Sequence, residues 1–275
     1  MNLKQKIGSK IIFGIYYPFF FRLTKVFKYL TRVINNQTFN ANINGENWLR
    51  NHLLSRKVFL DVGFNQGEFS KYISEHNKTA SIYAFDPNID AYQMFKRESK
   101  KYKNIELEKI ALSDCDGESL YFDYGELNGC NSLTKRKVDF PYQDMENSYV
   151  VITKRLDDWF KNKGISYIDF MKLDAEGFDL NILEGSVELL IKQKIGIILF
   201  EYATGWLCNK RLLKDAIDFI EDKPYSIFKL YYGFLVPFKY QTEYEGSFFS
   251  MFVLISDNEI ESFRKRKLIK YLKLF

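Results

Sequence analysis

Residues 57–67 read KVFLDVGFNQG, an apolar run that ends in Asp61 and passes into the turn Gly63-x-Asn65-x-Gly67. A buried parallel strand that stops at an acid and turns through two glycines lets the backbone come close to a nucleotide-like ligand. The helix that follows such a turn presents its N-terminus to the same ligand. The stretch therefore predicts a strand–turn–helix unit that binds a nucleotide-like molecule.

The composition limits the class of protein. The chain has 275 residues, of which 46% are hydrophobic and 27% are charged, enough for one good core and an appendage. Its cysteines, Cys115, Cys130 and Cys208, are odd in number and widely spaced. Neither a disulfide framework nor a zinc site is expected from them, and a reducing cytoplasm fits best. The two histidines, His52 and His76, are too few for a histidine-rich metal site.

Charge is distributed unevenly along the chain. Residues 1–57 hold ten Lys and Arg against one acid, residues 58–257 hold 24 against 32, and residues 258–275 hold six against two. An acidic centre between basic ends argues against a nucleic-acid groove through the core. We expect a basic amphipathic helical arm over 1–50, a main domain over 51–257 and a basic C-terminal helix over 258–275.

The N-terminal arm repeats apolar residues at helical spacing from Leu3 to Leu30, accompanied by Lys and Arg. Pro18 should kink or split this helix, and the apolar stretch Ile11–Phe21 is about half the ~20 residues that span a bilayer. The favoured interpretation is a helical lid or homodimer arm packed on the core. The alternative is an anionic membrane surface at the inner face, contacted by this arm and by the basic run Arg264–Lys267.

The central region alternates strand and helix patterns, as is typical of a parallel sheet covered on both faces. The predicted strands are Val58–Val62, Ser81–Phe85, Ile105–Ala111, Tyr167–Leu173 and Gly196–Glu201. The predicted helices are Glu68–Asn77, Ile89–Lys101, Leu180–Lys192 and about 210–222. Two further strands, near Ser226–Tyr232 and Phe248–Ile255, are expected to pair as an antiparallel edge. Residues 112–150 interrupt the pattern with a hairpin at Glu118–Tyr124 and a long loop.

Asp86 follows the second predicted strand, in the sequence YAFDPN. A carboxylate there can bind both hydroxyls of a ribose because it offers two oxygens to two neighbouring donors. Alternatively, Asp86 caps the next helix, since Asp-Pro often opens one. The glycine turn upstream favours ribose binding.

Two classes of cofactor use a glycine turn followed by such an acid. The nicotinamide fingerprint requires glycine at positions 63, 65 and 68, but the chain has Asn65 and Glu68. S-adenosylmethionine fits better, because its sulfonium and its amine are cationic and are favoured by acids such as Asp61.

A third acidic cluster lies in IDFMKLDAEGFDLNILEG, residues 168–185, at the carboxyl end of the fourth predicted strand. Together with the upstream motifs, this stretch resembles the FkbM family of S-adenosylmethionine-dependent methyltransferases. The resemblance covers residues 57–201 and rests on these motifs in order: Asp61-Val62-Gly63-x-Asn65-x-Gly67, Phe85-Asp86-Pro87, Ala111-Leu112-Ser113-Asp114 with Gly117, Leu156-Asp157-Asp158, Ile168-Asp169-Phe170-x-Lys172-x-Asp174-x-Glu176-Gly177 and Leu183-x-Gly185.

The resemblance implies an α/β class I methyltransferase fold, Rossmann-like, with a seven-stranded, mostly parallel sheet and an antiparallel last strand, to which the arm is added. It also implies which part of the cofactor each residue binds. The methionine part would be bound by Asp61, Gly63, Asn65 and Gly67, the ribose by Asp86, and the adenine would lie beside Asp114. The family more often has Glu in place of Asp86, a conservative difference. Asp114 is equally well explained as a turn residue.

Methyl transfer to an alcohol needs a base that removes the hydroxyl proton. Both histidines lie away from the expected site, so we expect a carboxylate, first Asp174 and second Glu176. Lys172 would orient the acceptor or steady these acids, although such a lysine is equally a structural device. Glu201 would complete a Mg²⁺ site with the two acids, but metal dependence is not favoured, because acids at neighbouring strand ends arise readily without a metal.

The predicted function is O-methylation of a hydroxyl, on a sugar of a surface glycan or on a secondary metabolite, a substrate class that comes from the resemblance alone. The strand end reads Asp174-Ala175-Glu176-Gly177 rather than Asn/Asp-Pro-Pro-Tyr/Phe, which counts against nucleobase amines. One alternative is a noncatalytic binding module with a nucleotide fold on a membrane-associated scaffold. The other is a nicotinamide-dependent oxidoreductase, which Asn65 and Glu68 disfavour.

Overall fold

A computed structural model describes residue 7 and residues 17–136, 147–246 and 249–271 of the chain. The described strands are β1 Val58–Val62, β2 Ser81–Phe85, β3 Ile105–Glu108, β4 Ala111–Ser113, β5 Gly117–Asp123, β6 Asn147–Arg155, β7 Ile168–Leu173, β8 Ile195–Ala203, β9 Tyr225–Tyr231, β10 Phe234–Pro237 and β11 Phe249–Ser256. The described helices are α1 Tyr17–Ile34, α2 Glu46–His52, α3 Glu68–His76, α4 Ile89–Glu98, α5 Leu156–Lys163, α6 Asp179–Glu184, α7 Val187–Ile191, α8 Thr204–Cys208, α9 Leu213–Ile220 and α10 Asp257–Lys265.

The main sheet has the strand order β10-β9-β11-β8-β7-β1-β2-β3 in the described part of the chain. Strands β8, β7, β1, β2 and β3 are parallel, and β11 runs antiparallel to both β8 and β9. This order confirms the predicted class I methyltransferase fold with its reversed last strand. The sheet has one strand more than the seven predicted, because the four-residue β10 folds back on β9 across a turn at Gly233, whose φ is 87°. A strand of four residues is too short to show the repeating pattern of apolar residues by which strands are predicted from a sequence.

Hydrophobic side chains cover both faces of this sheet. Successive residues of a strand point to opposite faces, so Phe59 of β1 joins the core under α2, α3, α4 and α10, and Leu60 joins the core under α5, α6, α7, α8 and α9. Burial on both faces is why β1, β7 and β8 are almost continuously apolar. Polar side chains therefore collect where these strands end, at the carboxyl edge of the sheet.

Three predicted elements differ from the structure. The predicted strand 105–111 divides into β3 and β4, and β4 joins a separate small sheet of order β4-β6-β5. The predicted hairpin at 118–124 is wrong, because this segment is a single strand, β5, that pairs with the distant β6. The predicted helix 180–192 is interrupted at Gly185, where a Cβ would lie 1.9 Å from the carbonyl oxygen of Ser113. The backbone at this break lies directly against β4, and only glycine leaves room for that contact.

The two basic ends differ from each other. No residue of α1 is buried, so this helix does not pack on the core of its own chain as expected, and the homodimer arm remains a prediction. In the C-terminal region, α10 buries Ile260 and Phe263, and the chain then returns beside β10 through a bridge between Leu235 and Ile269. Residues 1–6, 8–16, 137–146 and 272–275, which belong to the predicted arm, loop and C-terminal helix, lie outside the described residues. Over the described ranges, we find no helix long and apolar enough to cross a membrane.

Candidate active site

The turn after β1 brings the backbone of two loops into contact. Gly63 has a φ of 87°, and a Cβ on it would lie 2.0 Å from the carbonyl oxygen of Asp174. Gly67 has a φ of 74°, and a Cβ there would lie 2.2 Å from the Phe64 ring. Asn65 between them also has a left-handed backbone, with a φ of 45°. Glycine is therefore required at 63 and 67 for both conformation and space.

Asp61 lies beneath this turn and is only 1% exposed. Its Oδ2 accepts a hydrogen bond of 2.6 Å from Ser70 Oγ, but its buried Oδ1 has no partner in the described residues. Burial raises the pKa of Asp61 to about 6, although the nearby Lys172 ammonium lowers it. A buried acceptor without a donor is energetically unfavourable, so Oδ1 fits a ligand that brings a donor.

Asp86, 5% exposed, follows β2 beside the same turn. Its Oδ2 accepts from the backbone N–H of Asn65 at 2.7 Å and its Oδ1 from that of Asn88 at 2.9 Å. Each carboxylate oxygen has a second lone pair, so two more donors can be accepted. The cap of α4 is Asn88, whose side chain accepts from Asp90 and Ala91 N–H groups. Burial raises the pKa of Asp86 to about 6.

Lys172 and Asp174 lie at the carboxyl end of β7. Lys172 is 8% exposed, and its Nζ lies 2.7 Å from Asp174 Oδ2 and 3.9 Å from Glu46 Oε1. Burial disfavours the charged lysine, but Asp174, Glu46 and Asp61 more than compensate and raise its pKa. The ion pair thus holds the Asp174 carboxylate in place at the strand end.

Glu176 follows in a strained backbone conformation, with a φ of 54°. Strain of this kind at a non-glycine residue is typical of functional sites. Its carboxylate forms an ion pair with Arg136, which arrives from the loop after β5. Burial and the neighbouring Asp174 raise the pKa of Glu176 to about 8, against the lowering effect of Arg136.

Three adjoining cavities lie along this edge of the sheet, and Gly63 and Asp174 border all of them. A cavity of about 230 Å³ is lined by residues that include Asp61, Asn65, Glu68 and Lys172. A second cavity, of about 170 Å³, is lined by residues that include Asn65, Asp86, Tyr121, Asn131 and Glu176. A narrow apolar cavity of about 60 Å³ is lined by side chains such as Phe85, Ile110, Leu112 and Ile182. Of the predicted site residues, these linings leave out Gly67 and Asp114.

Asp114 lies after β4 on the surface. Its Oδ1 accepts from Ser113 Oγ at 2.8 Å and from Asn181 Nδ2 at 3.4 Å. The first contact lies within the turn between β4 and β5, and the second joins this turn to α6. The residues that face the apolar cavity from this part of the chain are Ile110, Ala111 and Leu112, just before Asp114.

Two more carboxylates surround Asp174 and Glu176. Asp179 is 1% exposed, and its Oδ1 has no partner in the described residues; burial and Asp174 raise its pKa to about 7. Burial, Asp174 and Glu176 also raise the pKa of Glu201 well above its usual value. In the part of the chain that the structure describes, no three His, Cys, Asp or Glu side chains are arranged to hold one metal ion.

The sequence model of the Methyltransferase FkbM domain matches residues 61–227, a region that contains the turn, Asp86 and the β7 edge. The chain belongs to the FkbM methyltransferase family. It is 25% identical over 172 residues to the 2-O-methyltransferase NoeI of Sinorhizobium fredii (strain NBRC 101917 / NGR234), a match that covers 58% of this chain and 69% of NoeI.

Solved methyltransferase structures also match this FkbM chain. The precorrin-6y C5,15-methyltransferase of Geobacter metallireducens GS-15 matches with a TM-score of 0.37 and 14% identity, over 76% of this chain and 89% of that one. TrmK of M. capricolum, in complex with S-adenosyl-homocysteine, matches with a TM-score of 0.41 and 15% identity, over 83% of this chain and 71% of that one.

Several residues of this FkbM site were not predicted from the sequence. Asp179 belongs to the same motif as Asp174 and Glu176, and its position three residues after Glu176 is the signal that points to it. Tyr121 lies in β5 and Arg136 in the loop after it, and no motif singles them out. Glu46 approaches Lys172 from α2, which belongs to the predicted arm rather than to the predicted site.

Proposed function

We propose that this methyltransferase uses S-adenosylmethionine and transfers its methyl group to a hydroxyl of a sugar. The observation that carries the proposal is the charge of the cavities, which Asp61, Asp86, Asp174 and Glu176 border. The neighbouring cations, Lys172 and Arg136, are already paired with acids. Such a site attracts a cation.

The described residues fit S-adenosylmethionine. Asp61 would take its ammonium group through the unpartnered Oδ1, and Asp86 would take the ribose hydroxyls through its remaining lone pairs. The apolar cavity beside Phe85 and Leu112 suits a flat adenine ring. When bound, this cofactor supplies an electrophilic methyl group on a cationic sulfur. A nicotinamide dinucleotide would instead bring two anionic phosphates beside the same carboxylates, which repel it.

Asp174 is the base that we propose for the acceptor hydroxyl. Asp174 borders all three cavities, and its side chain is 32% exposed, so an acceptor can reach it. Lys172 holds this carboxylate by the 2.7 Å contact, which fixes its direction. Glu176 is the second candidate, but its ion pair with Arg136 and its raised pKa make it less available as a base near neutral pH.

A hydroxyl acceptor is supported by the similarity to NoeI, whose name describes a 2-O-methyltransferase. The 170 Å³ cavity is lined mainly by polar groups, among them the side chains of Asn128, Asn131 and Tyr121. Asn128 and Asn131 hold the loop 124–131 by hydrogen bonds to its backbone. This loop therefore forms an ordered polar wall beside Asp174, which suits an acceptor with several hydroxyls.

Calorimetry with S-adenosylmethionine and with NAD tests the cofactor, and transfer of a labelled methyl group to a panel of oligosaccharides tests the acceptor. We expect binding of S-adenosylmethionine alone, lost in Asp86→Ala. Asp174→Asn should retain cofactor binding but transfer methyl groups about a hundred to ten thousand times more slowly. NAD binding would support an oxidoreductase, and the absence of any cofactor binding would support a noncatalytic module. Methylation of other hydroxyls but of no sugar would reject the acceptor class alone.

A further inference from the structure

Helix α1 is amphipathic but has no partner surface in the described chain. At 100° per residue, one side of the helix carries the apolar residues Phe19, Phe20, Leu23, Val26, Phe27, Leu30, Val33 and Ile34. None of them is buried, and Phe19, Phe27 and Ile34 are 61%, 59% and 72% exposed. An exposed apolar face of this size indicates an interaction surface for a protein or a membrane.

The opposite side of α1 carries a single sign of charge. Lys25, Lys28 and Arg32 lie there around Phe21, while Arg22, Thr24 and Thr31 lie at the borders of the apolar face, and the helix contains no acid. Solubility alone would be served by mixed charges. An apolar face opposite a face whose charges are all basic is the pattern of a helix that lies in the plane of an anionic membrane surface.

The C-terminal end of α1 is fixed to the carboxyl edge of the main sheet. Asn36, just after the helix, donates its side-chain N–H groups to the backbone oxygens of Leu230 at 3.0 Å and Asn44 at 2.7 Å. The Phe39 ring packs at 4.5 Å on that of Phe249, the first residue of β11. Leu230 near the end of β9 and Phe249 at the start of β11 both belong to the edge that carries the cavities. The helix therefore leaves the domain on the side of the active site.

We propose that α1 is a membrane-binding helix, which inserts its apolar face into an anionic lipid surface and holds the carboxyl edge of the sheet next to it. The charge of the rest of the chain agrees with binding through the helix. Residues 58–257 hold 32 acids against 24 Lys and Arg, so an anionic surface attracts the basic helix more strongly than it attracts the body of the domain.

Co-sedimentation of the full chain with vesicles tests this proposal. We expect binding to vesicles of mixed phosphatidylglycerol and phosphatidylcholine at low salt, and much weaker binding to pure phosphatidylcholine or at high salt. The triple substitution R22Q/K25Q/K28Q should weaken binding by roughly a hundredfold, since each basic residue near the surface contributes a factor of about five.

A matched pair of variants tests the apolar face. F27N/L30N places two asparagines on the apolar face and should weaken binding at least about tenfold. T24N/T31N places two asparagines at the border of the apolar face, where the side chains are already polar, and should change binding much less. Both variants should unfold at the wild-type temperature, because no side chain of α1 is buried.

Three results would overturn the proposal. The first is no binding to the anionic vesicles at low salt, and the second is equal binding to the uncharged vesicles. The third is a dimer in analytical ultracentrifugation that F27N/L30N dissociates and that vesicles do not, since the apolar face would then belong to a second copy of the chain. None of these measurements uses a methyl donor, so they are independent of the proposed cofactor and acceptor.

Discussion

Asp61→Asn should stabilise the protein without ligand and at the same time weaken its binding of S-adenosylmethionine. The substitution keeps the shape of the side chain and an oxygen that can accept from Ser70 Oγ, but removes the charge on a buried group with one unpartnered oxygen. If Asp61 served only to pack the core, its substitution would not raise the stability and lower the affinity at the same time. Opposite changes in stability and affinity therefore identify Asp61 as a ligand-binding group.

The size of the stability effect follows from the pKa of Asp61. Its folded pKa of about 6 lies about two units above that of an unfolded aspartate, and each unit corresponds to about 1.4 kcal/mol. Because the pKa of Asp61 is higher in the folded protein than in the unfolded chain, the folded protein binds the proton more tightly. Stability is therefore lost as the pH rises from the unfolded pKa to the folded pKa. Asp61→Asn should therefore raise the free energy of unfolding by about 2–3 kcal/mol at pH 8, and much less near pH 4.

The loss of affinity comes from the charged contact with the ligand's ammonium group. A hydrogen bond between charged groups contributes about 1.5–3 kcal/mol, so calorimetry at pH 8 should show binding that is about ten to a hundred times weaker. Asp169→Asn is the matched control, because Asp169 lies at the other end of β7 and pairs with Arg56 at 3.6 Å; it should lower stability and leave affinity unchanged. Wild-type affinity in Asp61→Asn, or a lower stability at pH 8, would refute this reasoning.

Three further predictions concern the same site. The affinity of the wild type for S-adenosylmethionine should be highest near about pH 7 and fall below pH 6, because Asp61 and Asp86 become protonated there; calorimetry would contradict this if affinity stayed level from about pH 7 down to about pH 5. Gly63→Ala should lower the free energy of unfolding in urea by about 2 kcal/mol more than Gly164→Ala, since Gly164 has a similar φ of 71° but nothing within 4 Å of its Cβ position. Arg136→Gln should raise the pKa of Glu176 above about 8, because the cation that lowers it is removed; an unchanged pKa in NMR titration would show that the ion pair does not form in solution.

Much of the main sheet was predictable from the sequence because its strands are buried on both faces. The predicted bounds of β1 and β2 are confirmed residue for residue, since continuous apolar runs between turns leave little ambiguity. The region between β3 and β6 was not predictable in the same way. The pairing of β5 with β6 and the move of β4 into a second sheet depend on contacts between residues that are 24 to 42 positions apart, and a local pattern cannot encode them.

The residues of the candidate site also divide into those that could be predicted from the sequence and those that could not. The glycines, Asp61 and Asp86 could be placed because one local turn, with its strand and helix, positions them. Arg136 could not be assigned to Glu176, because that ion pair depends on how the loop after β5 crosses the strand ends. The predicted position of Asp114 near the adenine remains a prediction, and the structure places the preceding residues Ile110 to Leu112 at the apolar cavity.

The raised pKa values provide an independent reason to expect a cationic ligand. Asp61, Asp86 and Asp179 are buried and Glu176 is partly buried, and all four have pKa values raised to between about 6 and about 8. Each ionised group therefore lowers the stability of the protein on its own. Neutral residues of the same shape would fold better, so a structural role does not explain why four acids meet at the ends of β1, β2 and β7. A ligand that carries positive charge offsets this loss of stability, because it stabilises every ionised carboxylate around it. S-adenosylmethionine carries positive charge on both its sulfur and its amine.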